Sequence, residues 1–217
     1  MKAFDAIVFD MDGVIFDSER AVMNCWLELA DRHHIPNIER PYLACTGTTK
    51  AKTKEIMLET YGPDFPYDLY EREASQMYHK LYDGGKLPMK QGVFELLEYL
   101  KQRDKRVALA SSTRHETVVN QLRDAKILGY FDSVISGEMV ARSKPEPDIY
   151  TFACETIHVE PRNAYAIEDS YNGIRSAHAA GLRPIMVPDL LPSFSEMEEL
   201  SEAILGNLED VRKYLEK

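Results

Sequence analysis

Cysteine is scarce in this sequence, and a long apolar run is missing from it altogether. The three cysteines, Cys25, Cys45 and Cys154, are odd in number, scattered, and form no C-x-x-C pair. That excludes a disulfide framework and a clustered thiolate metal site. It fits free thiols buried as small apolar groups in a reducing compartment. No apolar stretch nears the ~20 residues that a membrane-spanning helix needs. The start of the chain shows no secretory pattern of basic, apolar and cleavage segments. The expectation is a cytoplasmic protein with no membrane partner. Positive charge is also short: 26 Lys and Arg face 36 acids, a formal net charge of −10. This disfavours nucleic acid and anionic lipid as partners. It does not exclude a phosphorylated substrate, because a metal and one lysine can reverse the field locally. Internal repeats are absent. What is present is a chain of 217 residues, 44% hydrophobic. That is enough for one large domain or a core plus a small accessory domain, and too apolar for disorder.

Five β-rich segments stand out: Phe4–Phe9, Arg106–Ala110, Ser133–Ser136, Ala164–Ile167 and Pro184–Val187. The last four alternate with helical patterns. One carries Val93, Leu96, Leu97 and Leu100, the next Val118, Val119, Leu122 and Ala125; others cover 148–158 and 173–180. Alternation of this kind predicts an α/β fold, a Rossmann-like doubly wound parallel sheet with helices on both faces. The interval between the first two strands reads as helix only. Val22, Cys25, Trp26, Leu29 and Ala30 form one apolar stripe, and Tyr70, Ala74, Met77, Tyr78 and Leu81 another. A third helix is expected over 52–61. The core is therefore expected to be 1–17 plus 89–217, with 18–88 an inserted all-helical cap. Its hinges would be Val14–Ser18 and the Gly84-Gly85 to Pro88 segment, placing it as a lid. The acidic stretch 196–202 reads as a solvated helix face.

Four segments that end strands carry unusual polar groups. Asp10 and Asp12 follow the first apolar run at i and i+2, so both side chains face one way. They enter the crevice at the carboxyl end of the sheet, where open α/β sheets bind ligands. Two acids that close resist ionising together unless a cation or a shared proton intervenes. The pair predicts a metal-dependent site in which one carboxylate attacks and the other moves a proton. The second segment is Ala110-Ser111-Ser112-Thr113, whose hydroxyls and backbone N–H groups suit an anion. The third, Ser143-Lys144-Pro145-Glu146-Pro147-Asp148, holds one lysine in a chain stiffened by prolines. The fourth is Glu168-Asp169-Ser170, two acids after an apolar strand. Each alone is weak: a hydroxyl cluster caps helices, a lysine is usually solvated, and acids favour helix starts. The set in this order carries the weight.

With DMDGV at 10–14, ASST at 110–113, SKPEPD at 143–148 and EDSYNGI at 168–174, the chain resembles the haloacid dehalogenase superfamily. The last two motifs resemble the branch that holds β-phosphoglucomutase and many small-metabolite phosphatases. The resemblance implies roles residue by residue. Asp10 would be the nucleophile that becomes an aspartyl phosphate, and Asp12 the general acid and base. Ser111, helped by the backbone N–H of Ser112, would bind the transferring phosphoryl group. Lys144 would offset its charge. Asp169 would bind Mg²⁺, with Glu168 either a ligand or a holder of metal-bound water. The Asp10 side chain and the Asp12 backbone carbonyl would complete the metal set. Hard oxygen ligands and a mainly electrostatic reaction suit Mg²⁺.

The implied activity is a Mg²⁺-dependent phosphatase acting as a monomer on a small phosphorylated metabolite, most plausibly a sugar phosphate. The second acid at Asp12 favours phosphate esters over halide or phosphonate chemistry. A sugar phosphomutase is the alternative. That branch carries a histidine on the first cap helix, where Val22 or Met23 stands here. Lys50, in the Thr46–Lys54 stretch, falls where a mutase holds a second phosphate; a solvated basic helix start explains it equally well. A non-catalytic receiver-like phosphoacceptor is the third reading. Receivers lack a cap, and their phosphorylated Asp follows the third strand.

Overall fold

The computed structural model describes residues 3–46, 48 and 50–217; Gly47 and Thr49 of the Thr46–Lys54 stretch lie outside them. Six strands form one sheet: β1 (Ala6–Phe9), β2 (Arg106–Ser111), β3 (Ser133–Ser136), β4 (Ala164–Glu168), β5 (Arg183–Met186) and β6 (Ala203–Ile204). Their order is β3-β2-β1-β4-β5-β6, and every pairing is parallel. The expected doubly wound α/β architecture is present. β2 and β4 each run one residue beyond their expected ends, which carries Ser111 and Glu168 into the last rungs of the sheet.

Side-chain size sorts the two faces. Ile7, Phe9, Val107, Leu109, Tyr165, Ile167 and Ile185 pack on one side, where α5 (Val93–Lys101) and α10 (Leu208–Glu216) lie. The alternate positions Ala6, Val8, Ala108, Ala110, Ala164 and Ala166 face α7 (Asp148–Thr156) and α8 (Tyr171–Ala179). Side chains alternate along a strand, so each face has its own residue set, and small ones let helices approach closely. Two more helices belong to this unit, α6 (His115–Asp124) and α9 (Ser195–Leu200).

Between β1 and α5 the chain is helical: α1 (Ser18–Arg32), α2 (Glu39–Cys45), α3 (Lys50–Tyr61) and α4 (Tyr67–Tyr82). These helices gather around their own cluster of Trp26, Leu29, Tyr42, Met57 and Ala74. The aromatic stripes are core except at Leu81, which is exposed, and Trp26 stacks on Tyr67 at 6.0 Å between ring centres. The chain leaves and returns through two adjoining segments. Asp17 N donates to Pro88 O at 2.9 Å, and Lys90 N to Ile15 O at 2.9 Å. Among the described residues no helix is long and apolar enough to cross a membrane.

In the acidic stretch 196–202, Glu198 and Glu199 are exposed on α9 as expected of a solvated helix face. The helix ends at Leu200, and Glu202, also exposed, lies beyond it and accepts from Arg183, Tyr165 and Tyr214. Its partners sit on other elements, out of reach of any local charge pattern.

Candidate active site

Parallel pairing sets Phe9 beside both Leu109 and Ile167, so the residues just beyond them emerge together at the carboxyl edge. Asp10 is buried there, its N–H donating to Ile167 O at 2.9 Å. Lys144 reaches it from the β3–α7 connection. The ammonium donates to Asp10 Oδ1 at 2.5 Å, Glu168 Oε1 at 2.6 Å and Ala110 O at 3.0 Å. Only 8% of the Lys144 side chain is exposed. Burial alone would lower its pKa, but the charges of Asp10 and Glu168 outweigh that and hold it above the usual lysine range.

Glu168 is fully buried and anchored on both oxygens. Oε1 also accepts from Tyr150 OH at 2.6 Å; Oε2 accepts from the Ser170 hydroxyl at 3.0 Å and the Ser170 N–H at 3.3 Å. A Cβ on Gly173 would fall 1.9 Å from the Glu168 carboxyl carbon, so glycine at this point is what gives the carboxylate its room. Gly13 has the same duty beside Asp169. Its φ is +79°, and a Cβ there would stand 2.2 Å from Asp169 Oδ2.

Carboxylate oxygens of Asp10, Glu168 and Asp169 lie within 4.8 Å of one another. Burial, reinforced by neighbouring carboxylates, raises the pKa of both Asp10 and Asp169 well above the usual range. For Asp10, Lys144 opposes this rise. Three hard carboxylates against one lysine are a donor set fitted to a divalent cation. Asp12 is turned away from this group. Its Oδ1 accepts from Ser18 Oγ at 2.7 Å, and its Oδ2 from Thr113 Oγ1 at 2.8 Å and Ser111 Oγ at 3.4 Å. Its side chain is held by hydroxyls and stands outside the three-carboxylate group.

The structure thus brings Asp10, Asp12, Ser111, Lys144, Glu168 and Asp169 to one edge. Ser112 is exposed on the same loop. Lys50 is not brought to this group. It opens α3 with its side chain 92% exposed and paired with Glu71 at 3.2 Å, the geometry of a solvated helix start. Val22 and Met23 belong to the apolar cluster of the helical insertion. Three contributors carried no assigned role in the sequence: Ser18, Thr113 and Tyr150. Thr113 sits in the hydroxyl cluster that drew attention to Ser111, the one signal that pointed to it.

A family model described as haloacid dehalogenase-like hydrolase matches residues 7–187. A phosphorylated carbohydrates phosphatase of Thermotoga maritima is 28% identical over 181 residues, 83% of each chain. A β-phosphoglucomutase of Bacillus subtilis is 29% identical, covering 82% of this chain and 80% of its own. Among solved structures, CbbY of Rhodobacter sphaeroides, in complex with phosphate, superposes with a TM-score of 0.72. It is 26% identical and covers 96% of each chain.

Proposed function

The chain belongs to the haloacid dehalogenase-like hydrolases and is a phosphoric monoester hydrolase; we propose that it is a Mg²⁺-dependent phosphatase of small phosphorylated sugars, with residues 18–88 as its cap. The observation that carries the reading is the pairing of two acids with two different surroundings. Asp10 is buried against the Lys144 ammonium, and Asp12, two residues on, is held by hydroxyls.

Phosphoryl transfer asks for positioning and charge stabilisation more than for covalent strain. Lys144 favours the ionised form of Asp10 against its burial and aims it, so a carboxylate oxygen attacks phosphorus as the bond to the leaving oxygen breaks. Asp12, protonated, gives its proton to that oxygen. Asp12, now ionised, then takes a proton from the water that cleaves the aspartyl phosphate, which restores Asp10 and releases phosphate. Ser111 and the N–H of Ser112 face the phosphoryl oxygens at the edge of β2. Tyr150 and Ser170 hold Glu168, which in turn holds Lys144. Asp10 and Asp169, with Glu168 behind them and the Asp12 carbonyl, would hold Mg²⁺. That ion supplies neutralisation of the charge gathered by the acids and the phosphate. The cap would exclude bulk water while the phosphoenzyme exists.

The phosphomutase alternative has less support, because Val22 and Met23 offer no titratable group on α1. A reducing, cytoplasmic setting suits the three buried free thiols. The test is phosphate release from sugar phosphates and p-nitrophenyl phosphate, with and without Mg²⁺. Release that needs Mg²⁺ and falls to background in Asp10→Asn is the expected result. Undiminished release by Asp10→Asn removes the nucleophile from the scheme.

A further inference from the structure

A cavity of about 280 Å³ lies where the helical insertion returns to the sheet unit, and none of the residues gathered at the catalytic edge lines it. Its walls come from both units. Tyr78 and Tyr82, at the end of α4, contribute with Gly84 and Gly85 of the returning segment; Thr117, Gln121 and Asp124 line it from α6. The returning segment also meets α6 directly: a Cβ on Gly85 would fall 3.2 Å from Asp124 O. Three aromatic rings belong to the lining. Those of Tyr78 and Tyr82 lie 5.3 Å apart between centres, tilted by 47°, and the third is the buried Phe16. The volume is below the ~300 Å³ at which pockets for drug-sized ligands begin, so an occupant is small.

Charge selects the occupant. The lining carries two carboxylates, Asp83 and Asp124, and no lysine or arginine. His79 Nδ1 lies 3.1 Å from both Asp83 oxygens, so Asp83 has a partner. The Asp124 carboxylate has none among the described residues; Arg123, next to it in the chain, donates instead to Asn120 Oδ1 at 2.8 Å. Tyr78 registers the negative field: burial, then the charges of Asp12 and Asp83, push its hydroxyl up to about 12. An anion would be repelled. A metal ion would find no group of three ligating side chains, because the one such group among the described residues is Asp10, Glu168 and Asp169. A neutral apolar molecule would leave Asp124 unanswered. A compact organic cation meets both features, since aromatic faces attract ammonium groups within ~6 Å of the ring centre. We propose that this cavity binds a small organic ammonium ion, held by Tyr78 and Tyr82 with Asp124 as counter-charge, and that the ion braces the returning end of the insertion against α6. An occupant that touches both units favours the arrangement in which it does so. The cavity is then an effector site for movement of the insertion, whatever the catalytic edge hydrolyses.

The test is calorimetric titration of the full-length protein with choline chloride and with 3,3-dimethyl-1-butanol, which has the same shape and no charge, at an ionic strength held constant with sodium chloride. Choline should bind saturably with a Kd of about 1 mM or below, and the neutral isostere about tenfold more weakly or not at all. Tyr82→Leu keeps an apolar side chain and removes the ring, so it should weaken choline by about tenfold. Asp124→Asn, which removes an exposed counter-charge, should weaken it by about two- to fivefold. Hydrogen exchange reports the brace: choline should slow the amides of 78–87 and of 117–125 together. Equal binding of the isostere overturns the proposal, because the cavity then reads shape and not charge. So does choline binding that both substitutions leave undiminished, or the absence of saturation up to about 10 mM. Slowed exchange confined to other segments places the ion elsewhere and overturns it as well. If Tyr82→Leu does not fold, the isostere, Asp124→Asn and the exchange pattern decide.

Discussion

Glu19 is placed where a carboxylate is unfavourable. It lies near the start of α1, and burial, followed by the charges of Asp12 and Asp189, pushes its pKa from 4.5 up to about 7. An acid whose folded pKa is raised stabilises the fold fully below its unfolded value and loses that contribution as pH rises through the folded one. The loss therefore falls between about pH 4.5 and about pH 7. Glu19→Gln mimics the neutral acid, so it should match the wild type in thermal unfolding at the acidic end of that window. Above it, the variant should melt higher, by roughly 2–4 °C for each kcal/mol recovered. Equal melting at both ends would show that Glu19 is not strained by its neighbours. The acid pair and Lys144 were legible in the sequence because their chemistry depends on residue type at short spacing, on or beside a strand. Ser18, Thr113 and Tyr150 were not, since each has an ordinary local explanation as helix start, loop hydroxyl or core aromatic. What reveals them is contact across the fold: Thr113 meets Asp12 from 101 positions away.

The segments that join the helical insertion to the sheet unit are held by charge. Lys90, on the returning segment, donates to Asp189 Oδ1 at 2.6 Å and to Asp17 Oδ1, on the outgoing segment, at 3.2 Å. Arg20 of α1 stands 3.6 Å from Asp17 and 3.7 Å from Asp189. The Asp189 side chain is only 2% exposed, and its Oδ2 is buried without a hydrogen-bond partner among the described residues. Lys90→Met removes the closest cation from a buried carboxylate. Stranding such a charge fully costs about 3–5 kcal/mol, but Arg20, still 3.7 Å from Asp189 Oδ1, leaves about 1–3 kcal/mol. Denaturant unfolding should show that loss, and adding Asp189→Asn to Lys90→Met should recover part of it. If the double variant is no better than the single, the pair is not what secures this junction. The long periodic helices were legible as elements, α1 and α4 above all. α2, of seven residues, and β6, of two, are too short to show a period. α10 does show one in Leu208, Val211 and Leu215, opened by Asn207 accepting from Asp210 N.

At the scale of the whole molecule, the active site works against the fold that carries it. Asp10, Asp12, Glu168 and Asp169 converge on one edge of a chain whose formal net charge is already −10. Among the described residues Lys144 is the one cation that meets them at that edge, and burial raises the pKa of Asp10 and Asp169. Carboxyls raised in the folded state favour folding while protonated, so the metal-free protein should lose stability as pH climbs above the ordinary carboxylate range. A cation that binds only the native state adds stability by mass action, about 2.7 kcal/mol at a hundred times its dissociation constant. Protons compete for the same oxygens, so the gain must grow with pH. Thermal unfolding in chelator should therefore show a melting temperature that falls between about pH 5 and about pH 8. Mg²⁺ should raise the melting temperature clearly at the upper pH and little at the lower. Asp169→Asn separates this site from the others. It should remove most of the Mg²⁺ response, and in chelator at the upper pH it should melt above the wild type, because one buried charge is gone. A Mg²⁺ response that survives Asp169→Asn would place the ion elsewhere. No response at either pH would mean that the fold balances these acids without a metal, leaving Lys144 as the one counter-charge in the reaction.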